Sequence, residues 1–170
     1  FVAPGDMEGL NKEDFEHIFG VNLIGCWQTA RAAAHLMKAS GGGSIVTMSS
    51  LSAFTGAGSS PAYAASKAAL NTLTLSLARA LAPDVRVNAV CPGYVDTRWG
   101  RRGIGDDGYD AFTTALTQQL PLKRMVVADD IAETVLWFLA GGTAITGQTL
   151  VVDSGEHLAG GISITASDET

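Results

Sequence analysis

The chain has 170 residues, 46% of them hydrophobic and 16% charged, with a net charge of −6. Length and apolar content suit one globular domain with a real core. The negative balance, with no basic cluster larger than Arg101-Arg102, argues against a nucleic-acid surface. No apolar run is long enough to span a bilayer and no signal peptide opens the chain. Cys26 and Cys91 stand alone in apolar settings. They read as reduced core thiols of a cytoplasmic protein, without disulfide, metal or membrane partner.

Residues 12–39 read as one long helix. Leu10 and Asn11 lead into it, and Glu13 and Asp14 occupy the first turn, where the helix dipole favours them. Phe15, Ile18, Phe19, Asn22, Leu23, Cys26, Trp27 and Ala30 recur at helical spacing. Asn22 is a polar residue on that apolar stripe, between Gly20 and Gly25. From the residues alone it is a buried amide bonded to the backbone at a kink. His17 and His35 have no partner pattern and read as surface or helix-end residues.

Gly41-Gly42-Gly43 is a turn, and the β-branched run 44–48 after it reads as a buried strand. Ser49 and Ser50 sit at its C-terminal end, where open α/β sheets bind ligands. A polar loop leads to Ser60-Pro61, an N-cap followed by proline at the first helical position. The helix expected over 61–82 carries Tyr63 and Lys67 on one face. A tyrosine is a poor acid or base at neutrality, but a nearby ammonium favours its phenolate and brings it toward the working range. A serine hydroxyl at the strand end can hold a carbonyl oxygen whose charge changes. Together these make a proton-handling site; alone, the pair is also what an ordinary amphipathic helix carries. Further along, Leu70, Leu73, Leu77 and Leu81 line one face, with Leu75, Ala78 and Ala82 on others. Such a helix is buried on two sides, one by the sheet and the other by its own chain or a partner.

Residues 85–90 are the next strand, running into Cys91-Pro92-Gly93-Tyr94-Val95-Asp96-Thr97. A strand–helix–strand unit of this length implies a parallel pair with a right-handed crossover. Pro92-Gly93 then turns at the ligand end. Residues 98–108 form a loop in which Trp99 reads equally as a pocket wall or an anchor. A short helix follows over about 109–119, and Asp129-Asp130 open another that Gly141-Gly142 end. The last strand is expected over 146–153 and a polar tail over 156–170.

The stretch Tyr63-Ala-Ala-Ser-Lys67 resembles the active-site motif of the short-chain dehydrogenase/reductase family, with Ser50, rather than Ser49, where that family places its serine. Val21-Asn22-Leu23, the Pro92-Gly93 turn and Asp153-Ser154-Gly155, the last in place of the usual Asp-Gly-Gly, extend the likeness over most of 10–155. The resemblance implies a doubly wound Rossmann-type α/β domain, present here as three parallel strands with flanking helices. Residues 1–155 would be the C-terminal part of that single domain. Neither Gly56-Ala-Gly58 nor Gly41-Gly42-Gly43 matches the family's phosphate-binding loop, so the chain reads as the C-terminal two-thirds of a member.

By resemblance the catalytic residues are Asn22, Ser50, Tyr63 and Lys67, with Asn22 holding a water that leads to the lysine. Tyr63, Lys67, Pro92, Gly93, Val95 and Thr97 would contact NAD or NADP. The implied reaction moves a hydride between nicotinamide and a carbonyl or secondary alcohol, on a 3-oxoacyl thioester, small alcohol or sugar. The 12–39 and 61–82 helices would build a subunit contact in a homodimer or homotetramer. The rival reading is a non-catalytic oligomerisation domain or inactive fragment. In either case the edge of strand 44–48 is expected to be open and prone to association.

Overall fold

The computed structural model describes residues 9–97 and 106–159. Most of the loop expected at 98–108, with Trp99, and most of the expected tail lie outside the described residues. Helices α1 (Lys12–Phe19) and α2 (Cys26–Ala39) are joined without a break by a π segment, Gly20–Gly25. Then come β1 (Gly43–Met48), α3 (Ser52–Thr55), α4 (Pro61–Leu81) and β2 (Val85–Pro92). The remainder is α5 (Asp106–Gln119), α6 (Ala128–Ala140), β3 (Thr149–Val152) and a 3-10 turn, Glu156–Leu158.

The strands form one parallel sheet in the order β1-β2-β3. It is an α/β sheet covered by helices on both faces, so its strands are apolar in both directions. Side chains alternate accordingly. Val85, Val87 and Ile45 pack with Ala78, Leu77 and Leu81 of α4 and Met37 of α2. Val46, Val90 and Val152 pack on the other face with Ile131, Val135 and Phe138 of α6. Val85, Val87, Val90 and Phe138 are at most 1% exposed, each worth about 1.5–3 kcal/mol of transfer free energy.

Helix α6 starts where its acidic residues suggest. The Asp130 carboxylate accepts the Val127 N–H at 2.9 Å and a bidentate pair of 2.8 Å bonds from Arg124. The Arg124 hydrogen bonds, above all, pull its pKa down to about 2. Three expectations change. Helix α5 begins at Asp106, inside the loop expected at 98–108. The polar loop after β1 contains the one-turn helix α3, ended by Gly56 at φ 71°. The last strand is shorter than 146–153, because Thr146 spends its hydroxyl accepting the Val87 N–H before regular pairing begins.

Polar side chains of β2 hold the approach to β3. Asn88, fully buried, donates to the Ile145 carbonyl at 3.1 Å and accepts the Gln148 N–H at 3.0 Å. Arg86 donates to the carbonyls of Phe138, Gly142 and Ile145. The outer edge of β1 has no strand partner among the described residues. A groove of about 490 Å³ runs beside it, lined by Val21, Cys26, Ala30, Met37, Ile45 and Met48 among others.

Removing the buried Asn88 side chain takes one donor from the Ile145 carbonyl, which keeps Arg86, and leaves the Gln148 N–H without its acceptor. Asn88→Ala is expected to lower unfolding free energy by about 2–4 kcal/mol, read from urea denaturation; a midpoint shift equal to that of an exposed-site control would contradict it.

Candidate active site

The site begins with the cap of α4. Ser60 accepts the Tyr63 N–H through its side chain at 3.1 Å, and Pro61 fixes the first turn. That sets the helical phase from which Tyr63 and Lys67 project one turn apart. The Lys67 ammonium lies 5.5 Å from the centre of the Tyr63 ring and donates to the Met48 carbonyl at 2.8 Å. Burial lowers the Lys67 pKa below the ordinary lysine value, with Cys26 and Cys91 acting in the opposite sense. Tyr63 itself is half-buried.

The serines come from the end of β1, which stays tied to β2. Ser49 N–H donates to the Val90 carbonyl and Leu51 N–H to the Pro92 carbonyl, both at 2.8 Å. Ser50, 9% exposed, accepts the Ser52 N–H at its hydroxyl. The Ser49 hydroxyl instead donates to the Lys67 carbonyl at 3.2 Å, a structural link between strand and helix. Cys91 proves less apolar in setting than its sequence neighbours suggest. Its thiol, pushed up in pKa by burial, meets Asn71 at 3.7 Å with Ser49 and Lys67 close by.

Asn22 sits inside the π segment, which spans the two glycines that flank it. Its amide donates to the Ser66 hydroxyl at 3.0 Å, and that hydroxyl donates to the Tyr63 carbonyl at 2.7 Å. The helix irregularity is therefore real, but the asparagine bonds a side chain of the Tyr-x-x-x-Lys helix, not its own backbone. A π bulge slips the helix register locally, as is frequent at functional sites.

The turn after β2 completes the arrangement. Gly93 N–H donates to the Val152 carbonyl at 3.0 Å. A Cβ at Gly93 would fall 2.6 Å from the Asp153 Cβ and 2.5 Å from a Glu156 carboxylate oxygen, so glycine is needed here for close approach. Val95 forms an isolated parallel bridge with Val126, and its side chain packs into the α6 core. Thr97 is exposed, and its N–H reaches the hydroxyl of Tyr109. Tyr109 is fully buried and donates to Asp96 at 2.7 Å. The Tyr94 ring meets Phe112 edge-on at 4.8 Å.

Ser50, Lys67, Pro92 and Gly93 thus stand at the C-terminal end of β1 and β2, with Tyr63 beside Lys67 and Asn22 tied to their helix through Ser66, while Val95 and Thr97 lie further along the turn. Sequence reading missed Ser66 and Glu156. Ser66 lies within the motif at helical spacing from Tyr63, which could have pointed to it. Nothing local pointed to Glu156. Among the described residues no group of three or more His, Cys, Asp or Glu is gathered to hold a metal, and no helix is long and apolar enough to cross a membrane.

A family model described as enoyl-(acyl carrier protein) reductase matches residues 1–157. The 2,3-dihydro-2,3-dihydroxybenzoate dehydrogenase of Escherichia coli is 37% identical over 92% of this chain and 66% of its own length. A 3α-hydroxysteroid dehydrogenase of Mediterraneibacter gnavus is 40% identical, over 83% of this chain and 55% of its own. Among solved structures, a gluconate 5-dehydrogenase from Burkholderia cenocepacia, in complex with NADP and tartrate, superposes with a TM-score of 0.78 at 28% identity. The match covers 88% of this chain and 58% of that one. The chain belongs to the short-chain dehydrogenase/reductase family. It spans between 55% and 66% of the length of these relatives.

Burial first, then the hydrogen bond to and charge of Asp96, push Tyr109 up to about 12. An unfolded tyrosine ionises near pH 10. Between those values the folded chain holds a proton that the unfolded chain has lost. The buried phenol's stabilising contribution is thus fully present below about pH 10 and is lost as pH rises toward 12. Tyr109→Phe should flatten the alkaline fall in the urea midpoint; an identical fall in both proteins would refute the assignment.

Proposed function

We propose that the protein carrying this chain is a cytoplasmic oxidoreductase that moves a hydride between NAD or NADP and a carbonyl or secondary alcohol. The observation that carries the reading is the Tyr63–Lys67 pair, phased by the Ser60 cap and tied through Lys67 to Met48 and Ser49 at the end of β1. The donor set fits a nicotinamide nucleotide: a cation, a phenol and a hydroxyl stand beside a glycine turn at the C-terminal end of parallel strands. Lys67 and Tyr63 would hold the nicotinamide ribose, and Pro92, Gly93, Val95 and Thr97 its carboxamide side. When bound, the nicotinamide supplies or accepts the hydride.

The chain's own residues handle the proton. Tyr63 gives it to the carbonyl oxygen in reduction and takes it from the alcohol in oxidation. Lys67 sets its ammonium 5.5 Å from the centre of the Tyr63 ring, beside the proton to be moved. It already spends one donor on Met48, and its others remain for ribose and water. Ser50 donates to the substrate oxygen as charge develops there. Asn22 spends an amide N–H on Ser66, which leaves its carbonyl oxygen for a water leading to Lys67.

Relatives named for a dihydroxylated ring, a steroid alcohol and gluconate support a secondary-alcohol chemistry more than any one substrate. A 3-oxoacyl thioester, a small alcohol and a sugar all fit. A second reading, an oligomerisation module, is favoured by the open β1 edge and by exposed Val21, Ile24 and Leu36 beside or on the helices there. The two are compatible in a homodimer or homotetramer.

Tyr63→Phe should cut carbonyl-dependent oxidation of NADH or NADPH by about a hundredfold or more, with nicotinamide binding preserved. Turnover close to wild type would remove Tyr63 from the chemistry. Lys67→Ala should raise the KM for the nicotinamide cofactor about tenfold, because the proposed ribose contact is gone. A wild-type KM would overturn its role.

A further inference from the structure

One charged side chain at the edge of the site has no part in handling the proton. Glu156 belongs to the 3-10 turn near the far end of the chain, yet its Oε2 accepts the Tyr94 N–H at 2.8 Å. Gly93 N–H reaches the Val152 carbonyl of β3 and Asp96 N–H reaches the Val126 carbonyl. Tyr94 lies between these backbone bonds, where the turn leaves the sheet, and the carboxylate supplies its acceptor.

The carboxylate is held in place before any ligand arrives. Glu156 N–H donates to the Asp153 carbonyl at 3.0 Å. The Asp153 carboxylate accepts the backbone N–H groups of Gly155 and His157, and the His157 ring lies 2.7 Å from it. Gly155, at φ 85°, lets this knuckle press against Pro121, whose Cγ would lie 2.7 Å from an added Cβ. Close approach of Gly93 to Asp153 and Glu156 then locks knuckle and turn together.

We infer that Glu156 is a positioning residue for the nicotinamide-facing turn: its carboxylate fixes the Gly93–Tyr94 peptide and strengthens the Gly93 carbonyl as an acceptor for an amide NH2. A bond to an ionised acceptor is shorter and stronger than a neutral one. An acceptor on the N–H of a peptide group polarises the carbonyl at its other end. The oxidoreductase reading enters only in naming what the turn faces.

The test compares Glu156→Ala with Glu156→Gln, which keeps an acceptor oxygen. Glu156→Ala should speed hydrogen exchange at the Tyr94 amide by about tenfold or more, while Val87 and Val90 amides in β2 stay near wild type. The KM for the nicotinamide cofactor should rise about tenfold, with kcat within about threefold of wild type. Glu156→Gln should recover most of both effects. Unchanged Tyr94 exchange, equal acceleration throughout β2, no recovery by glutamine, or a wild-type KM despite faster exchange would each overturn the inference. If the wild-type protein shows no nicotinamide-dependent turnover, the oxidoreductase reading falls. In that case unchanged Tyr94 exchange still overturns the clamp and selective acceleration, reversed by glutamine, still supports it.

Discussion

The backbone of β2 is the constraint on which this structure rests. It pairs in parallel with β1 on one side and β3 on the other, and among the described residues no other strand has two partners. Its ladder continues past the regular strands: the carbonyls of Val90 and Pro92 still hold Ser49 and Leu51. Strands that run the same way end on the same side. The serine of one and the glycine turn of the next are therefore delivered to one edge by hydrogen bonding alone. Without that shared direction, Ser50 and Gly93 would sit at opposite ends of the sheet.

Helix α4 is the second half of the frame, and its two faces do different work. Ser66, Leu70, Thr74 and Ala78 face inward and are buried. Thr74 meets Thr47 of β1 through a buried hydroxyl contact of 2.8 Å. Tyr63 and Lys67 project from the same helix at its capped end, so packing further along sets where they stand. The Asn22–Ser66 bond adds a tie from the opposite helix. A functional side chain held by packed neighbours and outer hydrogen bonds loses little freedom when it acts.

What could be read from the sequence was what short-range physics controls. The Ser60-Pro61 cap, the Tyr63–Lys67 phase and the β-branched strands each depend on residues within a turn or two, and the structure has them at nearly the expected bounds. The π segment was visible only as an irregularity, because the Asn22 partner, Ser66, is 44 positions away. The shortened last strand follows from Thr146 reaching back across 59 positions to Val87. Glu156 and Tyr94, 62 positions apart, had no local pattern at all. Each of these depends on a contact that exists only once the sheet has assembled.

That dependence bears on how the chain acquires its structure. Gly43 pairs with Val85 and Ala89 with Thr149, with whole helices between the partners. Among the described residues no strand has a neighbour that a hairpin could bring to it. Each pairing must close a long loop before any ladder bond forms, and chains dominated by such contacts fold slowly. Helix α4, with its cap and long run of good helix formers, is the element able to form early and gather β1 and β2 against itself. The β3 ladder and the knuckle over Gly93 would then lock after β1 and β2 have met, so the Gly93 turn would take its shape late in synthesis.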